Sequence, residues 1–339
     1  MSVLTHVTAT RARTSPLHRL GALFTSPKYG PVLVTAVLFL VIFVVGGLRY
    51  RNFFSGQVFL NLFVDNAYLI VLAVGMTFVI LTGGIDLSVG AVVALSGMMA
   101  ASLLQSGWPA PVVIALIIGS TSFLGLLVGL MIHYFKVQPF IATLAAMFLA
   151  RGLCYVISQS SISVSDPTFV AAGVTRIPLG GRMSITWSVV IALVVVAVAV
   201  WVLHRTRFGR TVYAIGGGEQ SGLLMGLPVA RTKVLVYVIS GFCSGIAGIL
   251  FTFYTLSGYP LTAVGTELDA IAAVVIGGTL LTGGYGFVLG SVLGVLVLGI
   301  IQTIITFEGT LSSWWTKIFI GGLLLVFILL QRVLTARRR

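Results

Sequence analysis

The sequence predicts an all-α polytopic membrane protein with about ten transmembrane helices, an internal repeat and helices broken at Gly-Gly segments. Three observations predict it. Hydrophobic residues make up 58% of the 339 and charged residues only 8%, against about 25% charged in soluble domains. Apolar runs of membrane-spanning length follow one another along the chain. One stretch also returns: Leu81-Thr82-Gly83-Gly84 followed by Gly90 is echoed by Leu281-Thr282-Gly283-Gly284 followed by Gly290. Paired, interrupted apolar segments in corresponding positions are the imprint of an internal repeat around a site within the membrane. The plainer reading is two ordinary loops that use glycine for tight turns.

Ten apolar segments are expected, at 30–47, 66–82, 87–105, 109–132, 139–158, 185–204, 233–256, 267–282, 286–306 and 314–331. The third and eighth adjoin the Gly-Gly breaks and could be re-entrant. The chain then divides into a cytoplasmic tail at 1–29, a transmembrane domain at 30–331 and a basic cytoplasmic tail at 332–339. No small-residue cleavage site follows the first apolar run, so it reads as an uncleaved span and not as a removable signal.

The net charge of +13 does not point to nucleic acid, because the basic residues lie between spans, where they act as orientation signals. Ten spans put both termini on one side. That side would hold fourteen cations, among them Lys28, Lys136, Arg205, Arg210, Arg231 and Lys233, against Arg49, Arg51, Arg176, Arg182 and Lys317 on the other. The bias predicts cytoplasmic termini. Arg151 is left within a span, to snorkel, to pair with an acid or to mark a misplaced end. Gly125 with Gly129, Gly241 with Gly245 and Gly290 with Gly294 sit one turn apart and read as close helix packing.

Several chemistries are unsupported. The four lysines follow Pro27, Phe135, Thr232 and Thr316, so no phosphate-cradling Gly-Lys-Ser/Thr loop is possible. No His-Glu-x-x-His or Gly-x-Ser-x-Gly occurs, and Cys154 and Cys243 fall within separate expected helices. Neither catalysis, a metal site nor a cofactor is expected.

Two loops carry information. The one at 159–184, on the expected outer side, is polar and turn-rich, suited to a docking partner or simply to solvent. The one at 205–232 opens with a basic cluster and continues through Gly216-Gly217-Gly218 to Glu219, which would begin a short helix with its charge on the favourable end of the dipole. Leu223, Leu224 and Leu227 would share a face, Gly226 would cap the turn, and Arg231 and Lys233 would begin the next span. Such a helix could lie on lipid or fit a partner's groove. On the residues alone the two readings stand level.

From Asn61 to Arg332 the chain resembles permease subunits of bacterial ABC importers for sugars, the ribose, arabinose and galactofuranose group. The resemblance rests on Gly75–Gly90 (GMTFVILTGGIDLSVG), Tyr213-Ala-Ile-Gly-Gly217 and Glu267–Gly284 (ELDAIAAVVIGGTLLTGG). Phe307–Ile318 (FEGTLSSWWTKI) looks most like the galactofuranose type. The resemblance implies an inner-membrane permease that works with a cytoplasmic ABC ATPase, a second permease subunit, identical or related, and a periplasmic sugar-binding protein. It further implies that a monosaccharide is moved across the bilayer by alternating access. It also implies that Gly216 to Lys233 is the segment that contacts the ATPase. The family often carries Asn after Gly-Gly where this chain has Gly218, and an Ala pair where it has Ser221-Gly222.

The expected pathway residues are Asn61, Asn66, Thr82, Asp86, Ser88, Asp269, Thr282 and Trp314 or Trp315. Hydroxyls and amides can bond sugar hydroxyls, and an acid at bilayer depth, costing about 2.5–3.5 kcal/mol on insertion scales, is usually paired, wet or functional. The stronger readings are an interfacial belt for the tryptophans and a helix cap for Asn66. A secondary sugar carrier driven by protons or sodium is the rival function, and a non-transporting scaffold a third.

Overall fold

A computed structural model describes residues 30–336 apart from 182, 311 and 313. The expected tail at 1–29, Arg182 and the arginines at 337–339 lie outside the described residues. The helices are α1 (Gly30–Arg49), α2 (Gly56–Leu81), α3 (Val89–Gln105), α4 (Ala110–His133), α5 (Pro139–Ile157), α6 (Pro167–Val174) and α7 (Trp187–Arg205). They continue as α8 (Arg207–Gly217), α9 (Glu219–Leu224), α10 (Val229–Thr255), α11 (Thr266–Ile276), α12 (Val288–Glu308) and α13 (Trp314–Ala336). Four short strands make two ribbons: β1 (Ile162–Ser163) pairs with β4 (Ser257–Gly258), and β2 (Arg176–Gly180) with β3 (Met183–Thr186).

Seven of the described helices are long and apolar enough to cross a membrane, and α3 and part of α13 are shorter apolar helices. The ten-segment reading is therefore loose in its count while right in class. The main departures are physical. The second segment begins at Gly56 and not at 66, because Gln57, Asn61 and Asp65 interrupt the apolar run without interrupting the helix. Asn66 is consequently no cap: it lies buried inside α2 and donates Nδ2–H to the Leu62 carbonyl at 2.9 Å. The eighth segment stops at Ile276, so α11 has 11 residues. At 1.5 Å per residue that is about 16 Å, half a bilayer core. The last helix runs on to Ala336, into the expected basic tail.

α2 forms the middle of the bundle: its second half, from Ala67 to Leu81, is buried almost without interruption. α10 lies against it and against α4, and small residues permit the approach. The Gly125 Cα packs on the Tyr237 and Val238 backbone, and Gly241 on the Thr121 backbone, so the paired glycines are packing contacts. Two ends can then be distinguished. One carries the β2–β3 hairpin, the start of α2 and the close of α12. The other carries the Thr-Gly-Gly breaks, α8 and α9.

The 159–184 loop is more ordered than its composition suggests. Asp166 caps α6, accepting from the Thr168 and Phe169 amides at 2.9 and 3.1 Å. Phe169 is buried edge-on against Phe253, with centroids 4.9 Å apart. Arg151 has a structural partner that the sequence did not reveal. Its guanidinium donates to the carbonyls of Pro260 and Thr262, the latter at 2.9 Å. These lie in the irregular stretch before α11, where backbone carbonyls at membrane depth need a donor.

Candidate functional site

At the break end three glycine-bearing segments converge. α2 ends at Leu81, whose carbonyl accepts from the Gly284 amide at 2.9 Å, so the two echoed breaks touch through their backbones. Gly216, near the end of α8, fills the remaining space. A Cβ there would overlap both the Leu81 carbonyl oxygen and the Gly284 nitrogen, so only glycine fits. Tyr213, one turn earlier in α8, donates its hydroxyl to the Gly286 carbonyl at 2.8 Å. Burial pushes that hydroxyl up to about 12, so it remains a donor at physiological pH. His204 of α7 stacks on Phe287 at 5.9 Å and meets Tyr213 edge-on at 6.5 Å. α8 is thereby pinned to the second break by side chains and to both breaks by backbone.

The first break is held from the other direction. Asp86 is buried and accepts from the Ser88 amide and hydroxyl at 2.9 and 2.6 Å and from the Ser240 hydroxyl at 2.6 Å. Ser240 lies at the middle of α10, so the carboxylate ties the irregular 82–88 stretch to the core. Thr82 folds its hydroxyl back onto the Val79 carbonyl at 2.8 Å. Thr282 is exposed at the second break. Asp269 pairs with Lys317 of α13, both carboxylate oxygens lying within 2.8 Å of Nζ. Trp314 is 77% exposed at the start of α13.

Beyond the knot, α9 carries the expected short helix. Glu219 stands in its first turn and its Oε2 accepts from Lys233 Nζ at 2.7 Å. Gly226 takes φ +72° and closes the turn by donating to the Leu223 carbonyl at 3.0 Å. Two details differ from expectation. Gly216 and Gly217 belong to α8, and only Gly218 is a link. Leu227 turns back to within contact of Gly222, while Met225 joins Leu223 and Leu224 (56% and 86% exposed) in the outward patch. Arg231 and Lys233 fall in the first turns of α10, as their spacing implied.

The hairpin end holds a different feature, a polar cavity of about 390 Å³ between α2, α10 and α12. Asn61 and Asn66 line it, together with Asp65, Tyr68, Tyr254, Gln302, Thr303 and Thr306. Only the two asparagines were anticipated. The rest had a legible signal: Gln57, Asn61 and Asp65 recur every fourth residue, and Gly299, Gln302, Thr303 and Thr306 keep helical spacing, so each set forms one stripe. Gln57 fastens the cavity to the hairpin. Its amide donates to Asn61 Oδ1 at 2.8 Å and to the Ser184 carbonyl at 3.1 Å, and its oxygen accepts from the Ser184 amide at 2.9 Å. Asp86, Asp269, Thr82, Thr282 and Trp314 do not line this cavity; the expected pathway residues are spread over both ends.

Residues 58–328 match the family described as the permease component of branched-chain amino acid transport systems. The chain is 46% identical to the inner membrane ABC transporter permease protein YjfF of Escherichia coli, over 90% of this chain and 92% of that one. It is 44% identical to the fructose import permease FruG of Bifidobacterium longum and 39% to the ribose import permease RbsC of Bacillus subtilis, with the same coverages. No solved structure matches it. The chain therefore belongs to this family of multi-pass permease subunits of ABC transporters, whose members named for a cargo among these relatives import sugars.

Proposed function

We propose that this permease imports a monosaccharide across the bacterial inner membrane by alternating access, driven by a separate cytoplasmic ABC ATPase. Sugar would arrive on a periplasmic binding protein, and a second permease subunit, identical or related, would complete the pathway. Galactofuranose is the first candidate, on the resemblance of residues 307–318, with fructose and ribose as competitors drawn from the relatives. In this reading both termini and the break end are cytoplasmic, in keeping with the charge bias, and the hairpin end faces the periplasm.

The observation that carries the proposal is the junction of α8 with both breaks. Leu223, Leu224 and Met225 offer an apolar patch to a soluble partner's groove. A push on α9 reaches α8 through Gly218; Gly216 passes it to Leu81 and Gly284 by direct backbone contact, and Tyr213 to Gly286 through its hydroxyl. An ATPase cycling on this patch would therefore move the ends of α2 and the second break, which are placed to close the cytoplasmic side. Asp86, bonded to Ser240, ties the residues beyond Leu81 in the first break to α10, a restraint that the second break lacks. Asn61 and Asn66 stand at the opposite entrance. An ion-coupled carrier would need no such patch.

The test is affinity purification from native membranes, followed by uptake assays. A stoichiometric P-loop ATPase should co-purify and be lost in Leu223→Asp/Leu224→Asp without loss of membrane-inserted chain. Uptake of labelled galactofuranose, fructose or ribose should depend on that ATPase. A chain that purifies alone and moves sugar down an ion gradient in vesicles would overturn the proposal.

A further inference from the structure

Asp65 sits nine residues into α2, about 14 Å along the helix from Gly56. Its side chain is exposed, the three ion pairs among the described residues leave it out, and no described hydrogen bond reaches it. It opens instead into the cavity at the hairpin end, whose volume falls within the range of about 300–1,000 Å³ usual for small-molecule sites. Tyr68 lines the cavity from the same helix, and Gln302 of α12 and Tyr254 of α10, both exposed, line it from the neighbouring helices. Asn61 spends its oxygen on Gln57, which leaves its N–H groups for a ligand.

We infer, resting on the import reading above, that the cavity of each protomer is a resting site for the transported monosaccharide, held chiefly by Asp65 and Gln302. The chemistry is selective. Sugar hydroxyls donate and accept, so a carboxylate can take two neighbouring hydroxyls while an amide serves a third in either sense. Phe251, Tyr254 and Phe307 supply ring surface for the C–H face of a pyranose or furanose. The lining has one carboxylate and no cation, and Arg176 of the hairpin acts on Asp65 from outside it. A zwitterionic amino acid would bring its carboxylate into a site without a matching charge, whereas a neutral polyol would not. The site lies inside one protomer, between α2, α10 and α12, so an importer with two such subunits would hold two sugars off its central axis.

The experiment uses the permease–ATPase complex in right-side-out vesicles without the soluble binding protein. A Thr303→Cys thiol on the cavity wall is labelled with a charged methanethiosulfonate, in a chain whose two native cysteines are buried. Ser160→Cys, in the exposed loop, is the control. The sugar is whichever of galactofuranose, fructose or ribose the full importer takes up. Sugar should slow labelling of Thr303→Cys several-fold and leave Ser160→Cys unchanged. Adding Asp65→Asn should raise the half-protecting concentration about tenfold, the worth of one charge-assisted hydrogen bond, and Gln302→Ala should raise it less. Uptake with unprotected labelling at saturating sugar would overturn this site and leave the import reading standing. Failure of any sugar to be taken up would overturn the import reading and this inference with it. Should Asp65→Asn fail to insert, the Gln302→Ala shift and the wild-type protection still decide.

Discussion

The two breaks share their sequence, Leu-Thr-Gly-Gly, and differ in how they are held. The first is secured by a side chain: Asp86 gathers three donors, one of them from the middle of α10. The second has no carboxylate. It is shaped by its own backbone, with Gly278, Gly283, Gly284 and Gly286 all at positive φ, and it is gripped from outside by α8 through Tyr213 and Gly216. A repeated motif has thus been given two mechanical roles. Both copies meet α8 at Gly216, but only the first is also anchored to the core through Asp86, and only the second takes the Tyr213 hydrogen bond. Positive-φ glycines suit the second role, since they lack the Cβ that would lock one conformation.

That contrast can be broken, and the largest effect is expected at the knot itself. Gly216→Val places atoms where Leu81 and Gly284 already are, and backbone on both sides cannot move aside as a side chain could. Overpacking typically costs about 1–3 kcal/mol and occasionally more, and with backbone atoms as the obstacles the cost here should reach or exceed about 3 kcal/mol. Uptake by the intact importer should fall at least about tenfold at unchanged membrane level, with a lower melting temperature in detergent. Normal uptake would remove α8 from the coupling route. Next comes Asp86→Ala, which strands the Ser240 hydroxyl in the core. A loss of about 2–3 kcal/mol is expected from unmaking hydrogen bonds to a carboxylate, read by thermal unfolding. Asp86→Asn should cost less, since an amide oxygen can still accept from Ser240. Tyr213→Phe removes one neutral bond at the second break and should cost about 1 kcal/mol. If Tyr213→Phe proves as damaging as Asp86→Ala, the two breaks are equally anchored and the comparison fails.

Most of the architecture was written in hydropathy. Long apolar runs must be helical in a bilayer because no water is present to satisfy the backbone, so the class and the long helices could be read directly, whereas α6 and α8, short and in stretches expected as loops, could not. What hydropathy hid was polar residues on helical faces. Gln57, Asn61 and Asp65 lowered the local score and pushed the expected start of α2 ten residues too far. Their four-residue spacing carries the information that an average discards. Asp86 stood out by its rarity, but rarity could not tell a pathway acid from a clip. That distinction required Ser240, 154 positions away. Likewise Asp269 was visible as an acid, whereas its pairing with Lys317 needed α11 and α13 brought together. The meeting of Gly216 with Gly284 was out of reach for the same reason: close approach is a property of three segments in space, and each glycine alone reads as a turn.

The smallest expected effect sharpens the comparison at the far end of the coupling segment. α8 is wedged into the knot, but α9 is tied to α10 by the Glu219–Lys233 pair at 2.7 Å, with the Glu219 side chain 42% exposed. Exposed pairs contribute about 0.2–1 kcal/mol and are screened by salt. A double-mutant cycle of Glu219→Gln and Lys233→Met should therefore give a coupling energy below about 1 kcal/mol that shrinks as salt rises. The segment would then be graded, rigid where it meets the breaks and loose where the partner docks. A large, salt-insensitive coupling would make α9 as firmly fixed as α8, and a force applied there would have to turn the whole of α10 instead of reaching the second break through Gly216.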